Sequence, residues 1–282
     1  MKLLRYGSAG AERPGLLDVA GHIRDLSAVV PDITPAVLGP ESLRRLAALD
    51  VETLPQVRDR SRIGPPVAGV GKFIAIGLNY SDHAAETNMP IPAEPIVFSK
   101  ATSCIVGPYD DVRLPRGSTK TDWEVELGVI IGASASYVNE DEALKYVAGY
   151  CVINDLSERE YQLERGGSWD KGKGCDTFGP IGPYLVTADE VGDPQTLDLW
   201  LEVNDQVRQN GNTRTMIFPV CKLVSYVSQF MTLHPGDIIT TGTPPGVGMG
   251  LKPPTFLKAG DVVTLGIEKL GAQRQRVIDP SR

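Results

Sequence analysis

The chain has 282 residues, of which 41% are hydrophobic and 22% are charged, and its formal net charge is −7. This length supports one large hydrophobic core, or a large and a small one. The acidic balance argues against a nucleic-acid-binding or membrane-surface protein, because both need basic patches. No apolar run approaches the roughly 18 residues of a membrane-spanning helix, and the N-terminus lacks the apolar segment of a signal peptide.

The four cysteines are widely spaced, and none forms a Cys-x-x-Cys pair. Neither a zinc ribbon nor a thioredoxin-type redox site is therefore indicated. The pattern predicts reduced thiols, and hence the cytoplasm as the compartment. The 30 glycines and 22 prolines favour many turns and short strands over a helical bundle.

Residues 1–68 are predicted to form a small β-rich domain. The segments KLLRYG and GLLDVAGHIRDLS are typical of short strands, and PESLRRLAALD is typical of a short helix. A connection rich in proline and glycine follows (IGPPVAGVGK), which predicts a boundary after residue 68. Residues 69–282 are predicted to form a second, larger domain.

The larger domain is predicted to be rich in strands and poor in helices. Strands are predicted at KFIAIGLNY, PIVFSK, DWEVELGVIIG, VAGYCVIND, GPYLVT, LDLWLEVND and DVVTLGIE. Helices are predicted at SDHAAETN, with Ser81 as its N-cap, and at EDEALKYV, SEREYQLER and FPVCKLVSYVSQFM. The predicted fold class is therefore α+β and β-rich.

Two acidic side chains share one face of a strand that enters the core. In TDWEVELGVIIG, Glu124 and Glu126 point away from Val125 and Leu127, because side chains alternate along a strand. Two like charges on a half-buried face repel each other, and each is costly to desolvate without a partner. A hard divalent cation such as Mg²⁺, Mn²⁺ or Ca²⁺ resolves both problems. A solvated strand face is the alternative interpretation.

A third carboxylate, Asp155, ends the predicted strand VAGYCVIND, where functional loops begin. Its alternative role is to cap the helix predicted at SEREYQLER. Three carboxylates on strands that otherwise consist of valine, isoleucine, leucine and tyrosine favour a metal site over a solvated surface.

One histidine has a chemical partner within its own segment. A zinc site with three histidine ligands would consume all three histidines of the chain, including His22 in the N-terminal domain, so zinc hydrolase chemistry is not expected. Glu86 follows His83 by three residues, which places both on one helical face. A carboxylate raises the pKa of a neighbouring imidazole and orients it, which suits a general base acting on water. An exposed helical ion pair is the alternative.

Two glycine-rich loops also carry polar side chains. WDKGKGCDTFGPIGP contains Lys171 and Lys173, and a lysine there can reach an anionic substrate, the alternative being a solvated turn. TTGTPPGVGMG lacks the Gly-Lys-Ser/Thr of a phosphate-binding loop and opens no obvious helix, so neither a phosphate-binding loop nor a dinucleotide site is indicated. Thr241 and Thr243 in this loop can offer hydroxyls and backbone N–H groups to a carboxylate, or the loop is a plain turn.

Seven segments stand in the order in which they occur in the fumarylacetoacetate hydrolase family, which the chain resembles over about residues 70–270. They are IGLNYSDHAAE, IVFSK, DWEVELGVIIG, VINDLSEREYQ, KGKGCDTFGPIGP, QNGNT and GDIITTGTPPGVG. The resemblance implies a mixed β-sandwich or roll with a small N-terminal β-rich domain, commonly a homodimer. It also implies a Mg²⁺- or Mn²⁺-dependent enzyme that hydrolyses C–C bonds in small 2-oxo acids carrying a second carbonyl.

The resemblance assigns roles to residues that match the family's motifs. The implied metal ligands are Glu124, Glu126 and Asp155. The implied catalytic residues are the water-activating pair His83 and Glu86, together with Lys173. The implied substrate contacts are Lys100, Gln162 and Thr243. Two departures, Leu78 where some members have arginine and Cys175 where many have an aromatic residue, imply a pocket adapted to a different substrate tail.

Within the family, the segments RYG, ERGGSWDKGKG and NGNTRTM are most similar to bacterial enzymes that cleave 2,4-diketo-3-deoxy-L-fuconate to pyruvate and lactate. An acylpyruvate hydrolase, an oxaloacetate decarboxylase and a ureidoglycolate lyase are the enzymatic alternatives. A structural Ca²⁺-binding protein is the non-enzymatic alternative. The His83–Glu86 pair and the lack of an Asp-x-Asp-x-Asp-Gly loop argue against it.

Overall fold

The computed structural model describes residues 1–58, 61–86 and 90–279. Its strands are β1 (Lys2–Tyr6), β2 (Arg13–Leu17), β3 (Ile23–Asp25), β4 (Phe73–Gly77), β5 (Ile96–Lys100), β6 (Ile105–Val106), β7 (Val112–Arg113), β8 (Thr121–Asp122), β9 (Val125–Ile131), β10 (Val147–Asn154), β11 (Ser157–Glu158), β12 (Gly179–Thr187), β13 (Asp198–Val203), β14 (Gln206–Asn212), β15 (Ile238–Thr240), β16 (Val262–Ile267) and β17 (Gly271–Ile278).

The helices of the described chain are short. The α-helices are α1 (Pro40–Ala47), α2 (Ser81–Glu86), α3 (Trp169–Lys173), α4 (Ala188–Val191) and α5 (Val220–Ser228). One π-helical turn spans Glu160–Glu164. Turns of 3₁₀ helix lie at Pro35–Val37, Val51–Thr53, Thr102–Cys104, Ala143–Tyr146, Thr213–Thr215 and Gly248–Gly250. Among the described residues, no helix is long and apolar enough to cross a membrane.

The strands form three sheets. The largest has the order β3-β2-β1-β12-β10-β9-β15-β4-β5, with β6 paired to β12, and the others have the orders β14-β13-β16-β17-β7 and β11-β8. Most neighbours are antiparallel, while β15 runs parallel to β4. The five-stranded sheet packs on the middle of the large sheet, where β13 and β16 contact β9, and β16 and β17 contact β10. This architecture confirms the β-rich α+β fold class and its sandwich type.

Buried glutamines join the two large sheets. The side-chain nitrogen of Gln273 donates to the carbonyls of Val152 and Gly182, at 2.7 and 3.0 Å. The amide N–H of Val125 donates to the side-chain oxygen of Gln209 at 2.9 Å. Buried backbone groups need such partners wherever the strand ladder leaves them open. These bonds fix the five-stranded sheet against the strands that carry the acidic side chains.

The N-terminal strands extend the large sheet. Strand β1 pairs antiparallel with β12, with Lys2 opposite Val186, and β2 and β3 follow outward from it. The helix predicted at PESLRRLAALD is present as α1, and its Leu46 is buried. The division into residues 1–68 and 69–282 stays a prediction.

Two of the predicted helices differ from the structure. EDEALKYV forms only the turn Ala143–Tyr146, because β10 begins at the next residue. SEREYQLER divides into β11, which pairs with β8, and the π-helical turn Glu160–Glu164, so tertiary pairing overrides the local helical pattern. The helix predicted at FPVCKLVSYVSQFM is confirmed as α5.

The segments that flank the acidic strands also differ in detail from the prediction. Ser81 is the first residue of α2, and its hydroxyl donates to the carbonyl of Thr215 at 3.2 Å, so it does not act as an N-cap. WDKGK forms helix α3 where a loop was predicted. Gly172 packs there so tightly that an added Cβ would lie 2.5 Å from the carbonyl oxygen of Glu158. A glycine at this position therefore allows α3 to pack closely against the backbone of Glu158.

Candidate active site

Strand pairing brings the three predicted metal ligands together. Strands β9 and β10 are antiparallel with Glu126 opposite Ile153, and the amide of Asp155 donates to the carbonyl of Glu124 at 2.9 Å. One carboxylate oxygen from each of Glu124, Glu126 and Asp155 lies within 4.8 Å of the others, and all three side chains are buried. Strand β9 is buried on both faces rather than half-buried as predicted, because the five-stranded sheet covers it.

Two lysines neutralise part of this acidic triad (Glu124, Glu126 and Asp155). The ammonium of Lys173 donates to Glu124 Oε2 at 2.5 Å and to Asp155 Oδ2 at 2.7 Å. Lys100 Nζ lies 2.6 Å from Asp155 Oδ1 and donates to the carbonyl of Lys173 at 2.5 Å. Burial lowers the pKa of Lys173, but the charges of Asp155 and Glu124 outweigh it and raise the pKa. Lys173 is therefore a buried cation.

An arginine ties the triad to a distant loop. Arg159 donates to Glu124 Oε1 at 2.7 Å and to Asp122 Oδ2 at 2.9 Å. Asp122 also accepts hydrogen bonds from the backbone of Gly248 at 2.6 Å and of Met249 at 3.0 Å. The carboxylate of Asp122 thus links Arg159, which binds the triad member Glu124, to the loop that contains Gly248 and Met249.

Glu126 on β9 and Glu124, the residue before β9, experience opposite electrostatic environments. Burial raises the pKa of Glu124, but Lys173 and Arg159 outweigh it and hold that pKa at about 2. Burial, followed by the negative charges of Asp155 and Glu124, raises the pKa of Glu126 well above its usual range. Hydrogen bonds from Thr240 and the Gly242 amide to Glu126 do not offset this. An added cation beside Glu126 would relieve this repulsion.

The predicted histidine–glutamate pair is present. Both residues lie on α2, and His83 Nδ1 is 3.1 Å from Glu86 Oε2. The backbone N–H of Gly246 donates to Glu86 Oε1 at 3.1 Å, so the loop that Asp122 anchors also orients this carboxylate. Because the Glu86 carboxylate contacts Nδ1, it orients the imidazole ring of His83.

A cavity of about 210 Å³ joins His83 to the triad. The predicted site residues that line it are His83, Glu124, Glu126, Asp155, Gln162, Lys173 and Thr243. An imidazole, three carboxylates and an ammonium therefore line one cavity. Sites where charged groups converge in a cleft are the usual places for chemistry.

Two of the three predicted substrate contacts line the cavity, and the third does not. Gln162 lines the cavity and accepts a hydrogen bond from Arg159 at 3.0 Å. Thr243 also lines it, but its hydroxyl donates to the Val125 carbonyl at 2.9 Å and accepts from Gln209 at 2.8 Å. Lys100 does not line the cavity, because its fully buried ammonium binds Asp155 and backbone carbonyls.

Arg159 and the role of Asp122 were missed by the sequence interpretation. Arg159 follows Asp155 by four residues and precedes Gln162 by three, so its position in the predicted helix was the available signal. The partners of Asp122 at Gly248 and Met249 are more than 120 residues away, and no local pattern predicts them.

Comparisons with known proteins identify the family of the chain. The profile of the fumarylacetoacetate (FAA) hydrolase C-terminal family matches residues 72–278. The chain belongs to this family of enzymes. A relative from Burkholderia cenocepacia, named only as a hydrolase, is 66% identical over 99% of both chains.

Two solved structures share the fold over nearly their whole length. Fumarylacetoacetate hydrolase from Exiguobacterium antarcticum is 35% identical, with a TM-score of 0.87 and 99% of each chain covered. Maleylpyruvate hydrolase from Sphingobium sp. SYK-6, in complex with a manganese(II) ion and pyruvate, is 29% identical, with a TM-score of 0.82 and 99% of each chain covered. A neighbour in this fold therefore holds both a divalent metal and a 2-oxo acid.

Proposed function

We propose that the protein hydrolyses the C3–C4 bond of a 2,4-dioxo acid and releases pyruvate. The observation that carries the proposal is the opening of a buried acidic triad and an oriented histidine into one cavity. The triad suits a divalent cation, and the His83–Glu86 pair suits activation of water. The related maleylpyruvate hydrolase, with manganese(II) and pyruvate bound, supports the same type of substrate head.

The triad fits Mg²⁺ or Mn²⁺. Ligand oxygens on opposite sides of Mg²⁺ are about 4.2 Å apart, and the three oxygens here lie within 4.8 Å. Asp155 Oδ1 is buried and makes no hydrogen bond, although Lys100 contacts it, so it retains an unused lone pair. Glu124, Glu126 and Asp155 would hold the ion, which when bound acts as a Lewis acid on the 2-oxo group.

His83 would accept a proton from the attacking water. Glu86 would hold the imidazole through Nδ1, and the Gly246 amide would hold Glu86. Hydroxide then adds to the C4 carbonyl, the C3–C4 bond breaks, and its electron pair forms the enolate of pyruvate. Return of the proton to C3 gives pyruvate and the carboxylic acid of the tail, so one water is consumed.

Lys173 is the cation best placed for the developing charge. Its ammonium lies among the triad oxygens and lines the cavity, so a 2-oxo acid head would meet it on binding. Fixed charges near a developing oxyanion are usually a large catalytic contribution. Gln162 would contact the substrate beside it, whereas the position of Lys100 supports a role in holding Asp155.

The substrate tail and the biological setting rest on the sequence resemblance. The resemblance to enzymes of sugar-acid catabolism makes 2,4-diketo-3-deoxy-L-fuconate the first tail to test. A homodimer is proposed on the same basis. The four cysteines are free thiols, which suits the proposed cytoplasmic location.

The test is turnover of a substrate panel with product identification. Acylpyruvates, 2,4-diketo-3-deoxy-L-fuconate, oxaloacetate and ureidoglycolate are each incubated with Mg²⁺, with Mn²⁺ and with a chelator. The proposal expects metal-dependent release of pyruvate and a carboxylic acid from a dioxo acid. Release of CO₂ from oxaloacetate that persists in His83→Ala would identify a decarboxylase, and urea with glyoxylate would identify a lyase. If none of these substrates is turned over and Ca²⁺ alone stabilises the protein against unfolding, the enzymatic proposal is overturned.

A further inference from the structure

One side of the active-site cavity is apolar. The lining residues from β4, β5 and the start of α3 are Ile76, Gly77, Ile96, Phe98 and Trp169, and none has a charged side chain. Leu78, Leu163 and Met249 are further apolar residues that line the cavity. The charged lining residues instead come from α2, from β9 and the residue before it, from the segment that follows β10, and from the end of α3. The cavity therefore has a charged side and an apolar side.

Packing fixes the aromatic part of the apolar side. Phe98 and Trp169 meet edge to face, with ring centroids 5.2 Å apart and planes at 71°. A Cβ added at Gly77 would lie 2.4 Å from the Trp169 ring, so the indole rests directly on the backbone of β4. Ile96 and Phe98 are two residues apart on β5 and therefore share a face.

The apolar side begins beside the catalytic cation. The ammonium of Lys173 lies 5.5 Å from the centroid of the Phe98 ring. A 2-oxo acid whose head meets Lys173 and the triad has its chain directed past this ring. The side chains that line this side of the described cavity are hydrocarbon or aromatic. A hydroxyl on the tail would lose water there without a matching donor or acceptor.

We propose that the apolar wall, defined as Ile96, Phe98 and Trp169, selects substrates whose C4 acyl group carries an alkyl or aryl tail. The inference rests on the proposed function, since it takes the triad as the site of the 2-oxo acid head. It departs from the hydroxylated tail implied by the sequence resemblance. Each methylene buried on the wall strengthens binding about fourfold, which corresponds to about 0.8 kcal/mol.

Binding of acids that cannot be cleaved tests the wall without turnover. Pyruvate, 2-oxohexanoate, 4-phenyl-2-oxobutanoate and a hydroxylated 2-oxo acid of matched length have no C4 carbonyl to attack. Their dissociation constants are measured by calorimetry with the full chain and Mg²⁺. The inference expects affinity to rise with apolar tail length, and the hydroxylated acid to bind at least tenfold more weakly than 2-oxohexanoate. Equal affinities, or tighter binding of the hydroxylated acid, would overturn it.

Wall variants provide the second arm. Trp169→Ala and Ile96→Ala alter residues of different elements. Each should weaken the binding of 4-phenyl-2-oxobutanoate by about tenfold more than the binding of pyruvate. Trp169→Phe should recover part of the loss. Tyr137→Ala removes an exposed aromatic side chain outside the cavity and serves as the matched control. Equal losses for pyruvate and the phenyl acid would indicate a structural effect and contradict the inference.

The two proposals fail in different ways. If no dioxo acid is cleaved but apolar 2-oxo acids bind more tightly than hydroxylated ones, the hydrolase proposal is wrong, while the proposed selectivity of the apolar wall is supported. If acylpyruvates are cleaved with the same kcat/KM for every tail, the hydrolase proposal stands and the selective wall is wrong.

Discussion

Lys173 Nζ lies 2.7 Å from Asp155 Oδ2 and so places a buried cation inside the acidic triad. The same ammonium binds Glu124 at 2.5 Å. A buried ion pair that loses one partner leaves an uncompensated charge, which is strongly unfavourable. The chain therefore supplies part of the positive charge that the triad needs, and a bound metal would supply the rest.

The substitution Lys173→Met removes that internal cation. We expect the metal-free variant to be destabilised by about 3 to 5 kcal/mol, because two buried carboxylates lose their ammonium partner. Mg²⁺ should restore much of this stability, while activity stays low. Thermal unfolding with and without Mg²⁺ measures both effects. Lys171→Met, at an exposed lysine on the same helix, is the control, and an equal response of the two variants would refute the assigned role.

The substitution Glu126→Gln should separate metal binding from folding. Burial and then the charges of Asp155 and Glu124 raise the pKa of Glu126, so neutralising it relieves repulsion in the metal-free protein. We expect equal or higher stability without metal and a much smaller rise of Tm when Mg²⁺ is added, because ligand stabilisation follows affinity. A Tm titration with Mg²⁺ checks this. A wild-type Mg²⁺ response would exclude Glu126 as a ligand.

The parts of the site that follow local rules were predictable, and those made by distant loops were not. Alternation along a strand placed Glu124 and Glu126 together, and a three-residue spacing paired His83 with Glu86. The role of Arg159 depends on Asp122, and Asp122 depends on a loop that follows β15. Helix and strand propensities carry no information on such contacts, because docking of the loop creates them.

The fold shows the same limit. The β-rich class and most strands follow from period-2 patterns and turn residues. The failed helix predictions lie where neighbouring strands compete, as in SEREYQLER, whose first residues pair with β8. Lys100 matched a family motif, but its position behind Asp155 follows from the pairing of β5 with β4, which a single segment does not reveal.

The substitution His83→Ala tests the water-activating role. We expect kcat to fall by a factor of about 10² to 10⁴, the contribution of a general base. Metal binding should be retained, because His83 is not a member of the triad. Glu86→Gln should cause a smaller loss, since the amide can still accept the hydrogen bond from Gly246. Steady-state kinetics and Mg²⁺ titration measure the two properties, and full activity of His83→Ala would contradict the role.

The substitution Asp122→Asn tests coupling between the arginine and the loop. Asp122 accepts bonds from Arg159, Gly248 and Met249, and an amide of the same shape cannot balance the guanidinium charge. We expect kcat to fall while the Kd for Mg²⁺ weakens only moderately, because Glu124 keeps its contact with Lys173. Asp122→Glu should recover part of the activity. A loss of Mg²⁺ affinity with kcat unchanged at saturating metal would indicate a different role.

A final prediction concerns stability at acid pH, away from the active site. Backbone N–H donation from His22, opposed in part by burial and helped by Arg24 and the Ala20 amide, lowers the pKa of Asp18 from 3.8 to about 2. Between about pH 4 and pH 2 the unfolded chain therefore binds more protons here than the folded chain, so this contribution to stability is lost as the pH falls.

The substitution Asp18→Asn removes that contribution. The variant should be less stable than the wild type near neutral pH, and the difference should shrink as the pH falls from about 4 to about 2. Urea unfolding across this range measures it, with Asp141→Asn at an exposed position as the control. A difference between wild type and Asp18→Asn that stays constant with pH would show that the carboxylate charge does not stabilise this turn.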